Sequence, residues 1–193
     1  MGKWILGSHN TMSYLKPKTW WGRLFGFVAR CQSKTIEEQW NAGVRYFDLR
    51  IGYDSDWNAE FRHGAIAYKG DVEDVIKWLE TKAESVLEPV WIRILLEKGR
   101  ESRVPGACVD MFRADCERWQ RLYPKLFFHC GRQKSDWQVL YDFGREEPSM
   151  AQAVSSMTWK KWDDWCPWLY AKLMNKRNVA KGTEKDVLLI DFV

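Results

Sequence analysis

Three residues in this chain combine reactive types with a suggestive placement: His9 in Gly7-Ser8-His9-Asn10, Arg50 in Asp48-Leu49-Arg50, and His63 in Arg62-His63-Gly64. Imidazoles can accept or donate a proton near neutrality, since their unperturbed pKa is about 6.5. A guanidinium is a permanently charged, forked donor suited to an anion such as a phosphate. Two acids, Glu97 and Asp191, occupy comparable positions later in the chain. Each of the five lies at or just beyond the end of a short apolar run. Polar residues at the C-terminal ends of parallel strands converge on one mouth of a barrel, where its active site forms. Singly, each has an ordinary explanation: a loop histidine, a buried ion pair, a strand end. Their shared position argues for chemistry.

The elements that must position them follow from periodicity. A first strand covers Trp4-Ile5-Leu6 and ends at Gly7, and a long connection runs from Ser8 to about Lys34. Thr35 opens a helix, Glu38 completes a capping box, and Gly43 closes it. The second strand spans Val44 to Ile51. Period two puts Phe47, Leu49 and Ile51 on one face and Tyr46, Asp48 and Arg50 on the other. That division suits a barrel strand, with one face under helices and a charged face in the lumen. A third strand surrounds Phe61 to Gly64. Asp71 caps a helix whose Val72, Val75, Ile76 and Leu79 share one face. A fourth strand runs from Val90 to Glu97, and Val109, Phe112, Cys116 and Trp119 stripe a helix ending near Tyr123. Leu126 to Cys130 and Trp137 to Tyr141 read as strands. Trp159 to Met174 reads as helical in part, interrupted at Pro167, and Val187 to Val193 is a buried closing strand carrying Asp191.

Short strands alternating with helices imply an α/β fold built on a parallel sheet. About seven strands in 193 residues give a compact or incomplete TIM-barrel-like (β/α) barrel, since full barrels need about 250 residues. No repeat or linker divides the chain, so residues 1–193 are expected to form one domain.

Composition narrows the function. Lys+Arg 30 against Asp+Glu 26 gives a net charge of +4, too weak a basic balance to argue for nucleic acid. Five scattered cysteines with no C-x-x-C pair argue against a disulfide framework or a zinc knuckle. No apolar run approaches the roughly 20 residues that span a bilayer, and no secretory signal is evident. The expected location is cytoplasmic, with a potential for peripheral membrane association.

Thirteen tryptophans are the unusual count. Trp20, Trp21, Phe25 and Phe27 fall among Lys16, Lys18 and Arg23 just after His9. Such a mixture suits a lipid interface; in a chain so rich in tryptophan, a lid or subdomain packed over the barrel is the preferred reading. The row Trp159, Trp162, Trp165 and Trp168 is read as packing, and His129 as a core or surface histidine.

Gly7-Ser8-His9-Asn10-Thr11, Gly43-Val44-Arg45-Tyr46-Phe47-Asp48-Leu49-Arg50 and Arg62-His63-Gly64 together resemble the opening motifs of the phosphatidylinositol-specific phospholipase C X-domain family. Ile94-Leu95-Leu96-Glu97 resembles its fourth strand and Leu189-Ile190-Asp191-Phe192 its closing strand. Nothing specific is recognised between Gly99 and Asp186. The resemblance implies a phosphodiesterase acting on a phospholipid or glycerophosphodiester by internal attack. It implies that His9 is the general base, His63 the general acid, and Arg50 the clamp on the phosphoryl oxygens. By the same resemblance Asp191 orients His9 and Asp48 orients Arg50. Asn10, Glu97 and Arg93 are the candidates for substrate contact.

Two positions depart from the family pattern. Bacterial metal-independent members commonly carry an acid after the first histidine, where this chain has Asn10. Asn10, Asp48 and Glu97 resemble the oxygen ligands of calcium-dependent members, yet Arg50 stands at the fourth ligand position. A fixed cation there repels a metal ion and can stand in for it, so chemistry without a cofactor is favoured. A Ca²⁺- or Mg²⁺-assisted phosphodiesterase using Asn10, Asp48 and Glu97 is the alternative. A non-catalytic barrel that binds phosphoinositide or a protein is a second.

Overall fold

The computed structural model describes residues 4–97, 106–132, 139–141, 150–154, 166–181 and 186–193. Its strands are β1 (Ile5–Ser8), β2 (Tyr46–Tyr53), β3 (Ala59–His63), β4 (Ile66–Ala67), β5 (Val90–Leu96), β6 (Leu126–Arg132), β7 (Val139–Tyr141), β8 (Met150–Ala153) and β9 (Val187–Ile190). The helices are α1 (Trp20–Phe25), α2 (Ile36–Asn41), α3 (Val72–Ala83), α4 (Gly106–Leu122) and α5 (Pro167–Lys181). The seven-strand path runs β7-β6-β5-β2-β1-β9-β8. Its pairs are parallel except for β6 with β7. Among the described residues β7 and β8 do not pair, so the barrel-like sheet is open.

Side-chain alternation builds two layers around this sheet. Phe47, Leu49 and Ile51 of β2 join Ile92, Ile94 and Leu96 of β5 in the outer core. The helices cover it with Trp40 of α2, Ile76 and Leu79 of α3, and Phe112, Cys116 and Trp119 of α4. Tyr46, Val187 and Leu189 form a separate inner cluster, packed by Ile5, Trp91 and Met150. Gly7 permits the close approach there: a Cβ on it would stand 3.1 Å from Leu189 Cδ1 and 3.3 Å from Val187 Cγ1.

Local signals formed as their chemistry requires. Thr35 accepts from the Glu38 amide while the Glu38 side chain accepts from the Thr35 amide, and Gly43 (φ 95°) follows in the left-handed region. Asp71 caps α3 by accepting from the Asp74 amide.

Two features differ from the sequence reading. The third strand does not join the parallel set: β3 runs antiparallel to β2, with Ile51 opposite Phe61, and β4 folds back on β3. The Asp54–Asn58 turn is too short for a crossover, and Asp54 Oδ1 closes it by accepting the amides of Asp56 and Asn58. Met150–Ala153 forms a strand that the sequence pattern did not reveal; it is short, and only its pairing with β9 specifies it. Pro167 opens α5, since the first helical position needs no N–H donor; the part of that expected stretch from Trp159 to Trp165 lies outside the described residues. The expected features at Trp137, Trp159, Trp162 and Trp165 lie outside the described residues.

Candidate active site

β1 and β9 are parallel neighbours, with Ser8 opposite Ile190. The next residue on each, His9 and Asp191, therefore emerges side by side. The backbone turns sharply just after both: Asn10 (φ 42°) and Phe192 (φ 51°) are left-handed. Gln32 ties the two turns together, its Nε2 donating to the carbonyls of His9 and Ile190 at 3.0 Å each. Ser13 Oγ in turn accepts the amides of Cys31 and Gln32 at 2.9 Å.

His9 Nδ1 lies 2.6 Å from Asp191 Oδ1, and His9 Nε2 lies 2.7 Å from Arg50 Nη2. A guanidinium can only donate, so Nε2 must present its lone pair to it. The ring proton then sits on Nδ1 and is donated to Asp191. This is the tautomer a general base needs, with a basic nitrogen aimed into the site and a carboxylate behind it.

Arg50 is the hub. Its Nε donates to Asp48 Oδ2 at 3.1 Å, its Nη1 to Glu97 Oε1 at 2.8 Å, and its Nη2 to His9. Asp48 Oδ2 also accepts the Asn10 amide at 3.0 Å, and Glu97 Oε2 accepts the Gly64 amide at 3.0 Å. The carboxylates thus tie β2 and the end of β5 to the turns that follow His9 and His63. Asp48, Arg50, Glu97, His9 and Asp191 are all buried. Burial by itself would raise the Asp48 pKa, but Arg50, Arg93 and His9 outweigh it and hold the carboxyl well below the usual carboxylate range. Burial likewise works against the Arg50 charge, and Asp48 and Glu97 overcome it.

His63 ends β3, half-buried, with its ring edge-on to His9 and 6.1 Å away between centroids. Its Nδ1 donates to the Ala29 carbonyl at 2.8 Å, which leaves Nε2 as the nitrogen for proton transfer. Burial and then the Arg50 charge push its pKa below the ordinary imidazole value, against an opposing pull from Glu97.

Most of the residues expected at the site meet there. Glu97, read as a candidate substrate contact, is ion-paired with Arg50. Arg93 sits one layer deeper, opposite Asp48 in register, with its Nε 3.8 Å from Asp48 Oδ1 and its Nη1 3.4 Å from Met150 Sδ. That placement makes it a support for Asp48 from below rather than a group at the mouth. Asn10 is buried, and its Nδ2 has no acceptor among the described residues. His129 is a core histidine, packed 5.0 Å from the Trp91 ring. Sequence reasoning missed Ala29, Cys31 and Gln32. No motif or spacing marks them, because they reach the site by a loop rather than a strand end.

The oxygen set Asn10, Asp48 and Glu97 does not suit a hard divalent cation in this arrangement. Arg50 already bonds both carboxylates, and the Asn10 backbone amide, a donor, faces Asp48.

The barrel-like sheet, with its polar cluster at the C-terminal ends of parallel strands, defines a TIM-barrel-like α/β protein. Among the solved structures it resembles are bacterial phosphatidylinositol-specific phospholipases C. The enzyme from Listeria monocytogenes matches with a TM-score of 0.66 and 14% identity, over 99% of this chain and 88% of that one. A point mutant of the Staphylococcus aureus enzyme matches with a TM-score of 0.65 and 13% identity, over 97% and 84%. A double mutant of the latter gives a TM-score of 0.61 and 12% identity. No family model matches the chain, and no curated protein does. At such identities the likeness establishes the fold.

Proposed function

We propose that the chain cleaves a glycerophospho-alcohol diester, with phosphatidylinositol as the leading candidate, by internal attack and without a metal. The observation that carries this reading is the single connected cluster Asp191–His9–Arg50, with Arg50 bonded to both Asp48 and Glu97 and His63 edge-on to His9. His9 Nε2 takes the proton of a hydroxyl adjacent to the phosphorus, and the resulting imidazolium is held by Asp191. Arg50 transfers the hydrogen bond it gives His9 to a phosphoryl oxygen, where negative charge develops. Asp48 and Glu97 fix the guanidinium plane. His63 protonates the departing diacylglycerol oxygen, and the product is a cyclic phosphodiester. Asn10 Nδ2 supplies a further donor to substrate, and Arg93 keeps Asp48 ionised.

The route to a lipid substrate is the segment Trp20–Val28, through α1. Trp20 (72%), Phe25 (59%) and Phe27 (60%) are exposed, while Trp21 packs against the core and anchors the segment. Exposed Lys16 and Arg23 flank them, a mixture suited to an anionic lipid surface. The next residue, Ala29, holds His63 through its carbonyl, so the proposed membrane face lies beside the catalytic mouth. No helix among the described residues is long and apolar enough to cross a membrane.

The test is the release of headgroup from labelled phosphatidylinositol vesicles by wild type, His9→Ala and His63→Ala, with and without EDTA. Each substitution lowers the rate by about 10²–10⁴ with the fold intact, and EDTA leaves wild type unaffected. Near-normal turnover by either variant removes that residue from the mechanism, and loss of activity in EDTA restored by Ca²⁺ or Mg²⁺ favours the metal-assisted alternative.

A further inference from the structure

Cys31 has no part in the mechanism above, yet its thiol lies within the catalytic cluster. It is buried, its Sγ is 3.9 Å from His63 Nδ1, and it contacts the Ala29 carbonyl at 3.7 Å. On its other side, donor atoms of His9, Cys31 and Asp191 all lie within 4.8 Å of one another. These three residues come from separate segments, and together they offer an imidazole nitrogen, a sulfur and a carboxylate oxygen. From these we infer that His9, Cys31 and Asp191 form an inhibitory site for a thiophilic divalent cation such as Zn²⁺ or Cd²⁺.

The geometry is close to what such an ion requires. Zinc bonds of about 2.0–2.3 Å in a tetrahedron put neighbouring ligand atoms about 3.4–3.6 Å apart. His9 Nδ1 and Asp191 Oδ1, at 2.6 Å, need only separate slightly, and the sulfur needs only a modest approach. Three protein ligands leave a fourth position for water. The thiolate selects soft or borderline ions, unlike the oxygen set at Asp48 and Glu97, which Arg50 already occupies. A groove of about 620 Å³, lined by Arg30, Ser33, Asn175 and Phe192 among others, runs past the residues flanking Cys31 and Asp191.

Occupancy at this site stops the base. The ion takes the lone pair of His9 Nδ1, so the proton now on Nδ1 moves to Nε2. The Cys31 thiol gives up its proton to solvent, and the ion bonds the sulfur, Nδ1 and an Asp191 oxygen. His9 Nε2 then carries a hydrogen facing Arg50 Nη2 and can no longer accept one from substrate. The binding stands independently of the proposed phosphodiesterase activity; only the inhibition rests on it.

Titration with Cd²⁺ alone, followed by the ultraviolet thiolate-to-metal charge-transfer band, tests the site directly. Wild type is expected to gain a band that saturates at about one equivalent and that Cys31→Ser lacks, the other four cysteines being common to both. Losing even an outer partner costs a metal site about 10–100-fold, so Asp191→Asn, read by the same band, binds at least tenfold more weakly. It also keeps the test available if Cys31→Ser does not fold. A wild type without the band, or a band unchanged in both variants, overturns the inference. In the vesicle assay Zn²⁺ inhibits wild type reversibly. Cys31→Ser, normalised to its own metal-free rate, needs at least tenfold more, and equal sensitivity counts against the site. A protein that binds Cd²⁺ through Cys31 but cleaves no diester sinks only the functional reading; one that cleaves but shows no band sinks only this one.

Discussion

Replacing Asp191 with asparagine isolates one hydrogen bond with little change of shape. The carboxylate accepts from His9 Nδ1 at 2.6 Å, fully buried, and as His9 takes a proton it faces a full positive charge. Hydrogen bonds to charged groups are worth about 1.5–3 kcal/mol against about 0.5–1.5 for neutral ones. The charge–charge attraction at about 4 Å in a medium of effective dielectric 20 reaches about 4 kcal/mol. A loss of about 3–4 kcal/mol of transition-state stabilisation corresponds to about 10²–10³ in kcat. An amide can also present its NH₂ to Nδ1. That would force the ring proton onto Nε2, opposite an Arg50 N–H, and deepen the loss. The resting neutral imidazole still has an acceptor in the amide oxygen, so KM and thermal stability should change far less than kcat. Initial rates on phosphatidylinositol vesicles, with melting temperature as the control for folding, decide the matter. A folded Asp191→Asn protein within about threefold of wild-type kcat refutes the assignment of Asp191 as the group behind the base.

Arg50→Lys is expected to lower kcat by about 10²–10³ despite the conserved charge, because an ammonium cannot bond Asp48, Glu97 and a phosphoryl oxygen from one plane; unchanged kinetics argue against the clamp. For pH, the direction follows from His63. An acid must be protonated to act, and its pKa is lowered in the free protein, so kcat/KM falls as pH rises through a value below about 6.5. A profile still rising above neutrality contradicts that role. Trp20→Ala with Phe27→Ala removes two exposed rings worth up to about 1.5–3 kcal/mol each when buried. Vesicle partitioning should drop at least tenfold while cleavage of a water-soluble diester stays near normal, and equal losses on both substrates would place the segment in the catalytic step instead.

What the residue pattern alone determined is local. The Thr35/Glu38 capping box, the Asp71 cap, the α3 stripe and the division of β2 into Phe47/Leu49/Ile51 and Tyr46/Asp48/Arg50 all formed as read. Each rests on dihedral preference or side-chain period within a few residues. The convergence of His9, Arg50, Glu97 and Asp191 was legible for a related reason, since strand ends in one parallel sheet share an edge. Tertiary structure decided which groups touch. That Glu97 grips Arg50, that Arg93 lies one layer down, and that β3 turns back antiparallel all depend on register and loop length across distant segments. The same holds for Cys31, brought against His63 by a loop with no period to read, and for the aromatic segment. Its aromatic residues do not differ in kind from those of the core, yet Trp20 and Phe27 face outward while Trp21 packs inward. Periodicity reports the face a side chain takes on its own element; what that face meets is set by how the rest of the chain packs.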